Sequence, residues 1–320
     1  MNYTFEADTR KLSRAEWLEA RRNGIGGSDA GAILGVNPYR GAYSVWADKL
    51  GLLPETEDNE AMRQGRDLED YVARRWAERT GKAVRRENMM LRSTEHAFML
   101  ADIDRRVIGE RAGLECKTSK DIRLGRYKNG EFPIEYYAQC LHYLAVTGWD
   151  RWYLAVLVYG TDLLTFTIER TGVADDIEAL IQAEERFWRN NVVPRISPMP
   201  DGLESTTRAV SWVHPLADDE SAMDATPEAD RMLCELIEVK SKIKAFEQRK
   251  DELSNRIKEI MGEHEYLNGT LGQAAWRNQT KSSLSKTKIK AFYPEIDLDK
   301  VTLSTKTRVF TIKTSSEEAV

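Results

Sequence analysis

The run Gly113-Leu114-Glu115-Cys116-Lys117-Thr118 places an acid and a lysine two residues apart inside a short apolar stretch. Such a stretch reads as a β-strand, and the alternation of a strand then sets Glu115 and Lys117 on one face and Cys116 on the other. Shortly upstream, the apolar run closing in Ala101-Asp102-Ile103-Asp104 reads as another strand. If the two pair as a hairpin, Asp104 comes beside Glu115, with Lys117 next to both. Carboxylates hold hard divalent cations, which take oxygen ligands. An adjacent ammonium can steer a water or steady developing negative charge. The three residues together suit metal-assisted cleavage of a phosphodiester, although a solvated ion pair on a strand would read the same way without its context.

Three further blocks supply that context. Ile25-Gly26-Gly27-Ser28-Asp29-Ala30 predicts a tight glycine loop capping a helix that begins near Ala30. A helix start presents free N–H groups and a positive dipole end to a phosphate, and Arg21 and Arg22 lie just before it; an ordinary capped helix with solvated arginines is the plainer alternative. Gln64-Gly65-Arg66-Asp67-Leu68-Glu69 opens a helix running through Trp76 to Arg79, with Glu69 near its N-terminal end and an apolar stripe of Leu68, Val72 and Trp76. Tyr136 to Leu144 reads as another helix, in which Gln139 is the polar residue among apolar ones.

The order of these blocks resembles the lambda exonuclease family, and within it the YqaJ viral recombinase group. The likeness runs from about Trp17 to Asn190. It implies the PD-(D/E)XK nuclease core: a restriction-endonuclease-like α/β fold with a mixed central sheet flanked by helices. It also implies a Mg2+-dependent exonuclease of phage or prophage recombination, degrading one strand of linear duplex DNA 5′-to-3′ to leave a 3′ single strand. On this resemblance Asp104 and Glu115 are metal-binding acids, the Cys116 carbonyl faces a metal, and Lys117 is the catalytic lysine. Glu69 is the helix acid completing a site for two Mg2+ ions, for which Mn2+ can substitute. Arg21, with Ser28 and Gln139 alongside, grips a terminal 5′-phosphate. The implied partners are double-stranded DNA ends, further copies of the chain in a ring-shaped homo-oligomer (a trimer), and a phage single-strand annealing protein. The chain departs from the family pattern twice. Asp102 stands where a serine lies near the 5′-phosphate, and Arg105-Arg106 follow Asp104 where a glycine is frequent. The first change sets a carboxylate close to a phosphate, which weakens the phosphate pocket more than the cleavage site.

A net charge of −5 does not advertise nucleic-acid binding. An acidic nuclease is still workable, because cations neutralise its carboxylates and arginine pairs such as Arg21-Arg22, Arg74-Arg75, Arg85-Arg86 and Arg105-Arg106 touch phosphates. The three cysteines, Cys116, Cys140 and Cys234, lack metal-ligand spacing, which excludes a zinc ribbon or an iron–sulfur set. The histidines His96, His142, His214 and His264 form no pair at ligand spacing. The chain opens on no signal peptide and contains no apolar run of membrane-spanning length, so a cytoplasmic protein with no membrane partner is expected.

Along the chain, residues 14–35 predict two helices around the glycine loop, and Ala42 to Lys49 a third. Val84 to Leu91 and Ala97 to Leu100 predict short strands. Trp152 to Tyr159 and Leu163 to Ile168 predict a hairpin, and Ala174 to Asn190 a helix buried through Ile177, Leu180, Ile181 and Phe187. Helix, strands, helix, strands is the pattern of a layered α/β domain, set at 1–200. A linker at 201–225 follows the prolines Pro194, Pro198 and Pro200. Residues 226–320 then form a helical arm and a basic, β-rich tail. The arm is a long amphipathic helix from Pro227 to Met261, stopped by Gly262, whose heptad seam Lys250 interrupts; a hairpin arm or subunit contact is expected rather than a free coiled coil. In the tail, Tyr266 to Leu271 carries a hairpin signal, and Trp276 to Lys281 with Lys286-Thr287-Lys288-Ile289-Lys290 offers either DNA contacts or a lysine-protected exposed strand. Two alternatives to the exonuclease remain at this level: a structure-selective endonuclease, and a non-catalytic DNA-binding or assembly protein on a nuclease scaffold.

Overall fold

Tyr153 to Val158 is apolar at every position, so this strand must be covered on both faces. The computed structural model, which describes residues 2–55, 59–120, 125–160, 162–217, 221–280, 284–297 and 300, shows how. Two compact units are present, Met1–Pro215 and Leu216–Val320.

The first unit holds two sheets. A small antiparallel one has the order β1 (Tyr3–Asp8), β3 (Met89–Ser93), β4 (Leu100–Ala101). The larger, mixed sheet has the order β2 (Val84–Arg86), β5 (Arg105–Val107), β6 (Ala112–Ser119), β7 (Arg151–Val158), β8 (Asp162–Glu169). β6 and β7 run parallel and the other neighbours antiparallel. The predicted strand from Val84 to Leu91 is thus two strands in different sheets, and Ala97 to Leu100 shortens to β4, which pairs with β3.

Helices α1 (Arg14–Arg22), α2 (Gly27–Ile33) and α3 (Ala42–Lys49) precede the long α4 (Glu60–Thr80). α5 (Ile134–Thr147) and α6 (Ala174–Phe187) follow, and α6 passes into a π turn at Trp188–Val192. β7 divides its side chains between the two layers. Trp152, Leu154, Val156 and Val158 join the core built with α5 and α6, while Tyr153 and Ala155 meet Val72 and Trp76 of α4. Gly113 lies opposite Trp152 in the β6–β7 register. A β-carbon there would stand 2.3 Å from the indole, so only glycine lets the ring lie flat against β6.

The segment read as a linker contains α7 (Glu204–Val213), whose Thr206 and Ala209 are buried. Ala209 and Val210 pack with Tyr43 and Trp46 of α3, so the first unit reaches Pro215 rather than ending at 200. The second unit contains α8 (Pro227–Met261), with Thr226 as N-cap and Gly262 ending it, and an antiparallel hairpin of β9 (Tyr266–Asn268) and β10 (Gln273–Ala275). The lysine run, read as either a DNA contact or a lysine-protected strand, is the short helix α9 (Lys286–Phe292), capped by Ser285. This removes the strand alternative for that run, while the β9–β10 hairpin is the β structure described in the tail; Lys281 and residues 301–320 lie outside the described residues. Among the described residues no helix is long and apolar enough to cross a membrane.

Candidate active site

β5 and β6 form a hairpin in the register Arg105↔Leu114, although β5 begins just after Asp104 and the run expected to pair, ending at Asp104, supplies β4 of the small sheet instead. One step further along that register sets Asp104 opposite Glu115. The alternation also holds. Leu114 and Cys116 face the α4 layer, whereas Glu115 and Lys117 face α5, where Gln139 Nε2 donates to Glu115 Oε1 at 2.8 Å. Lys117 Nζ forms an ion pair with the same oxygen. Glu115 is only 2% exposed, and its other oxygen, Oε2, is buried without a hydrogen-bond partner. Asp104 accepts from the Cys116 N–H at 2.8 Å, which ties the acid to β6.

The electrostatics follow from this crowding. Burial and the neighbouring Glu115 and Glu69 carboxylates push Asp104 well above the ordinary carboxylate range. Burial also raises Glu115, against the opposing pull of Lys117. Lys117 is raised despite its own burial, because Glu115 and Asp104 hold its proton. The Cys116 thiol is pushed up, first by burial and then by Asp104 and Glu115, so it stays a thiol.

The glycine loop builds the other end of the same cavity, a space of about 390 Å³ whose lining includes Arg21, Ser28, Glu69, Asp104, Glu115 and Lys117. α2 starts earlier than expected, at Gly27 with Gly26 as its cap, so Ser28 and Asp29 stand inside its first turn. Asp29 accepts from the Gly26 N–H at 3.0 Å. Fully buried, it also meets Lys49 Nζ at 2.7 Å and Arg40 at 2.8 Å. Burial alone would raise Asp29, but the charges of Lys49, Arg40 and Arg21 hold it far below its usual value. Arg21 donates to Ser28 Oγ at 2.8 Å and lies over the Trp17 ring, 4.6 Å from its centroid. Asp102 accepts from Trp17 Nε1 at 2.7 Å, so the carboxylate expected to disturb a phosphate is engaged with an indole instead.

The structure brings Asp104, Glu115, Lys117 and Gln139 together, and pairs Arg21 with Ser28. Gln139, expected beside Ser28, gives its amide to Glu115 and to Tyr143 Oη at 2.9 Å. Glu69 departs furthest from expectation. α4 begins at Glu60, so Glu69 sits well inside the helix, and its carboxylate is bound by Arg105. Among the described residues no three His, Cys, Asp or Glu side chains converge into a ready-made metal cage.

Sequence reasoning misplaced Arg105, read with Arg106 as a phosphate contact, and missed Tyr143 and the Asp29 network. The Arg105 side chain is almost fully buried, binding Glu69, Asp70 and the Asp104 carbonyl. Strand alternation could have found it, because Arg105 must face opposite to Asp104. Tyr143, one helical turn after Gln139, donates to the Asp102 carbonyl at 3.1 Å. No sequence signal pairs Asp29 with Lys49.

The YqaJ-like viral recombinase domain model matches residues 16–150. The protein YqaJ of Bacillus subtilis (strain 168) is 36% identical over 314 residues, covering 96% of each chain. Among solved structures, the alkaline exonuclease LHK-Exo of Laribacter hongkongensis is similar at 21% identity and a TM-score of 0.47, covering 57% of this chain and 95% of that one. A phage-related exonuclease of Haemophilus somnus 129PT is similar at 14% identity and a TM-score of 0.41, covering 54% and 96%. The extent and identity of the match to the Bacillus protein, together with the family model over residues 16–150, place this chain in the YqaJ-like viral recombinase family.

Proposed function

We propose that this chain is a metal-dependent deoxyribonuclease on a PD-(D/E)XK core, acting in phage or prophage recombination. On this reading it degrades one strand of linear duplex DNA from a 5′ end. The observation that carries the reading is the convergence of Asp104, Glu115 and Lys117 on a cavity whose far end holds Arg21 and Ser28. The residues fit Mg2+ or Mn2+. Asp104 and Glu115 are hard oxygen donors, and the buried Glu115 Oε2 has an unfilled coordination direction. The Cys116 carbonyl would complete the set, and Glu69 could join it by exchanging Arg105 for the cation. A bound divalent cation supplies an activated water and neutralises charge on the phosphate.

The chain's own groups do the rest. Lys117, steadied by Glu115, presents a compact cation to charge developing on phosphorus-bound oxygens. Gln139 helps fix the rotamer of Glu115 through the same oxygen, and is itself oriented by Tyr143. Arg21 offers a planar fork suited to a terminal phosphate, with the Ser28 hydroxyl beside it.

The test is digestion of one duplex as a linear form with 5′-phosphates, a linear form with 5′-hydroxyls and a covalently closed circle, with Mg2+ or EDTA. Fastest loss of the 5′-phosphorylated form, an intact circle and no reaction in EDTA are expected. Activity in EDTA overturns the metal assignment. Cutting of the circle overturns the exonuclease reading in favour of a structure-selective endonuclease.

A further inference from the structure

Between Pro227 and Ile260 every side chain of α8 is exposed except Ala229 and Ser254, which are half-buried. Apolar residues nevertheless recur along it in alternating steps of three and four, broken once at Lys250. Leu236, Ile243 and Ile257 share one heptad position, a, with Lys250 at the intervening a. Val239, Phe246, Leu253 and Ile260 share the other, d. A repeat of 3.5 residues lets two helices supercoil with their seams in continuous contact.

The flanking e and g positions say what lies opposite. Glu235 and Lys242 stand at g, Lys240 and Glu247 at e. Among the described residues none of these four is ion-paired within its own chain, unlike Arg249, Lys250 and Arg256, which find Glu252 or Asp251. In a parallel, in-register pair, g of one helix meets the following e of the other. Glu235 then meets Lys240 and Lys242 meets Glu247, each twice by symmetry, and no like-charged e–g pair arises. An antiparallel pair on the same seam would set Lys242 against Arg249.

We propose that α8 pairs with α8 of a second copy of this chain as a parallel, in-register, two-stranded coiled coil. Lys250 fits this partner. A single lysine at an a position selects register and strand number at some cost in stability, and its ammonium can reach out of a narrow two-stranded seam. The proposal rests on α8 alone, stands independently of the nuclease reading, and sets a two-fold pair at this helix in place of the trimer that the family resemblance implies.

Cross-linking of the full chain tests it. In a Cys234→Ser background, Val239→Cys should form an intermolecular disulfide under mild oxidation, while Ser241→Cys, on the outer f position, should not. Charge exchange gives a second readout. Glu235→Lys/Glu247→Lys and Lys240→Glu/Lys242→Glu should each weaken self-association at least tenfold by sedimentation, with helicity by circular dichroism retained. Mixing the two variants should restore association, because every e–g pair becomes opposite in sign. Absence of the Val239→Cys cross-link, equal cross-linking at Ser241→Cys, or mixed variants that stay apart would overturn the proposal. Failure of DNA digestion would leave these measurements untouched.

Discussion

The first unit and α8 treat charge and apolar surface in opposite ways. In the first unit, most polar groups that leave water find partners: Asp29 meets Lys49 and Arg40, and His142 Nδ1 meets Glu184 at 2.9 Å. Unpartnered buried oxygens are few there, and one of them, Glu115 Oε2, lies at the centre of the candidate site. In α8, thirty-five residues bury a single side chain, Met261, and Phe246 is 75% exposed. A helix of this kind gains little from its own chain, since most helical stability in proteins comes from packing an amphipathic face. The contrast teaches that the first unit satisfies most of its buried polar groups internally and leaves Glu115 Oε2 open inside the candidate site, whereas α8 is a surface whose energetics lie with another molecule.

The largest break of this comparison should come from Asp29→Ala. It leaves Lys49 buried and unpaired, and removal of one partner of a buried ion pair costs about 3–5 kcal/mol. Chemical denaturation of the first unit checks this. Asp29 also gives the pH dependence a sign. Its folded pKa is depressed, so its contribution is present above the ordinary carboxylate pKa, about 4, and is lost as pH falls through the folded value. Asp29→Asn should therefore flatten the acid limb of the stability profile.

Next in size, Lys117→Ala should lower the single-turnover rate on a short duplex by roughly 10²–10³, the range for removing one transition-state donor. The DNA dissociation constant should change far less, and a proportionate loss of binding would reassign Lys117 to substrate capture. Gly27→Ala should cost about 1–3 kcal/mol by overpacking, since the added methyl would stand 2.7 Å from the Tyr143 ring. Because Tyr143 orients Gln139, turnover should fall with stability, which paired melting and digestion curves would show. The smallest effect is expected in α8. Phe246→Ser should move the unfolding free energy of the first unit by less than about 0.5 kcal/mol, as exposed substitutions do. A larger shift would mean that α8 and the core are not energetically separate.

The sequence by itself determined what depends on local period and short-range pairing. The alternation in Leu114 to Lys117 is enough to set Glu115 and Lys117 on one face, and hairpin closure over a few residues is enough to bring Asp104 opposite. The same holds for α3 and for the bounds of α8, where Thr226, Pro227 and Gly262 are explicit start and stop signals. Tertiary structure decided what depends on residues far apart in the chain. Glu69 could be read as an acid on a helix, but only the packing of α4 against β5 delivers it to Arg105. Gln139 was legible as an odd polar residue, yet its choice of Glu115 over Ser28 follows from how α5 crosses the sheet. Asp102 looked like an obstacle to phosphate until Trp17 of α1 came to meet it. Residues 201–215 looked like a linker because α7 is short and polar-faced, and only the apolar surface of α3 makes it part of the fold. Periodicity acts through neighbours along the chain, whereas a buried charge takes its partner from whatever the packing of distant elements places within reach.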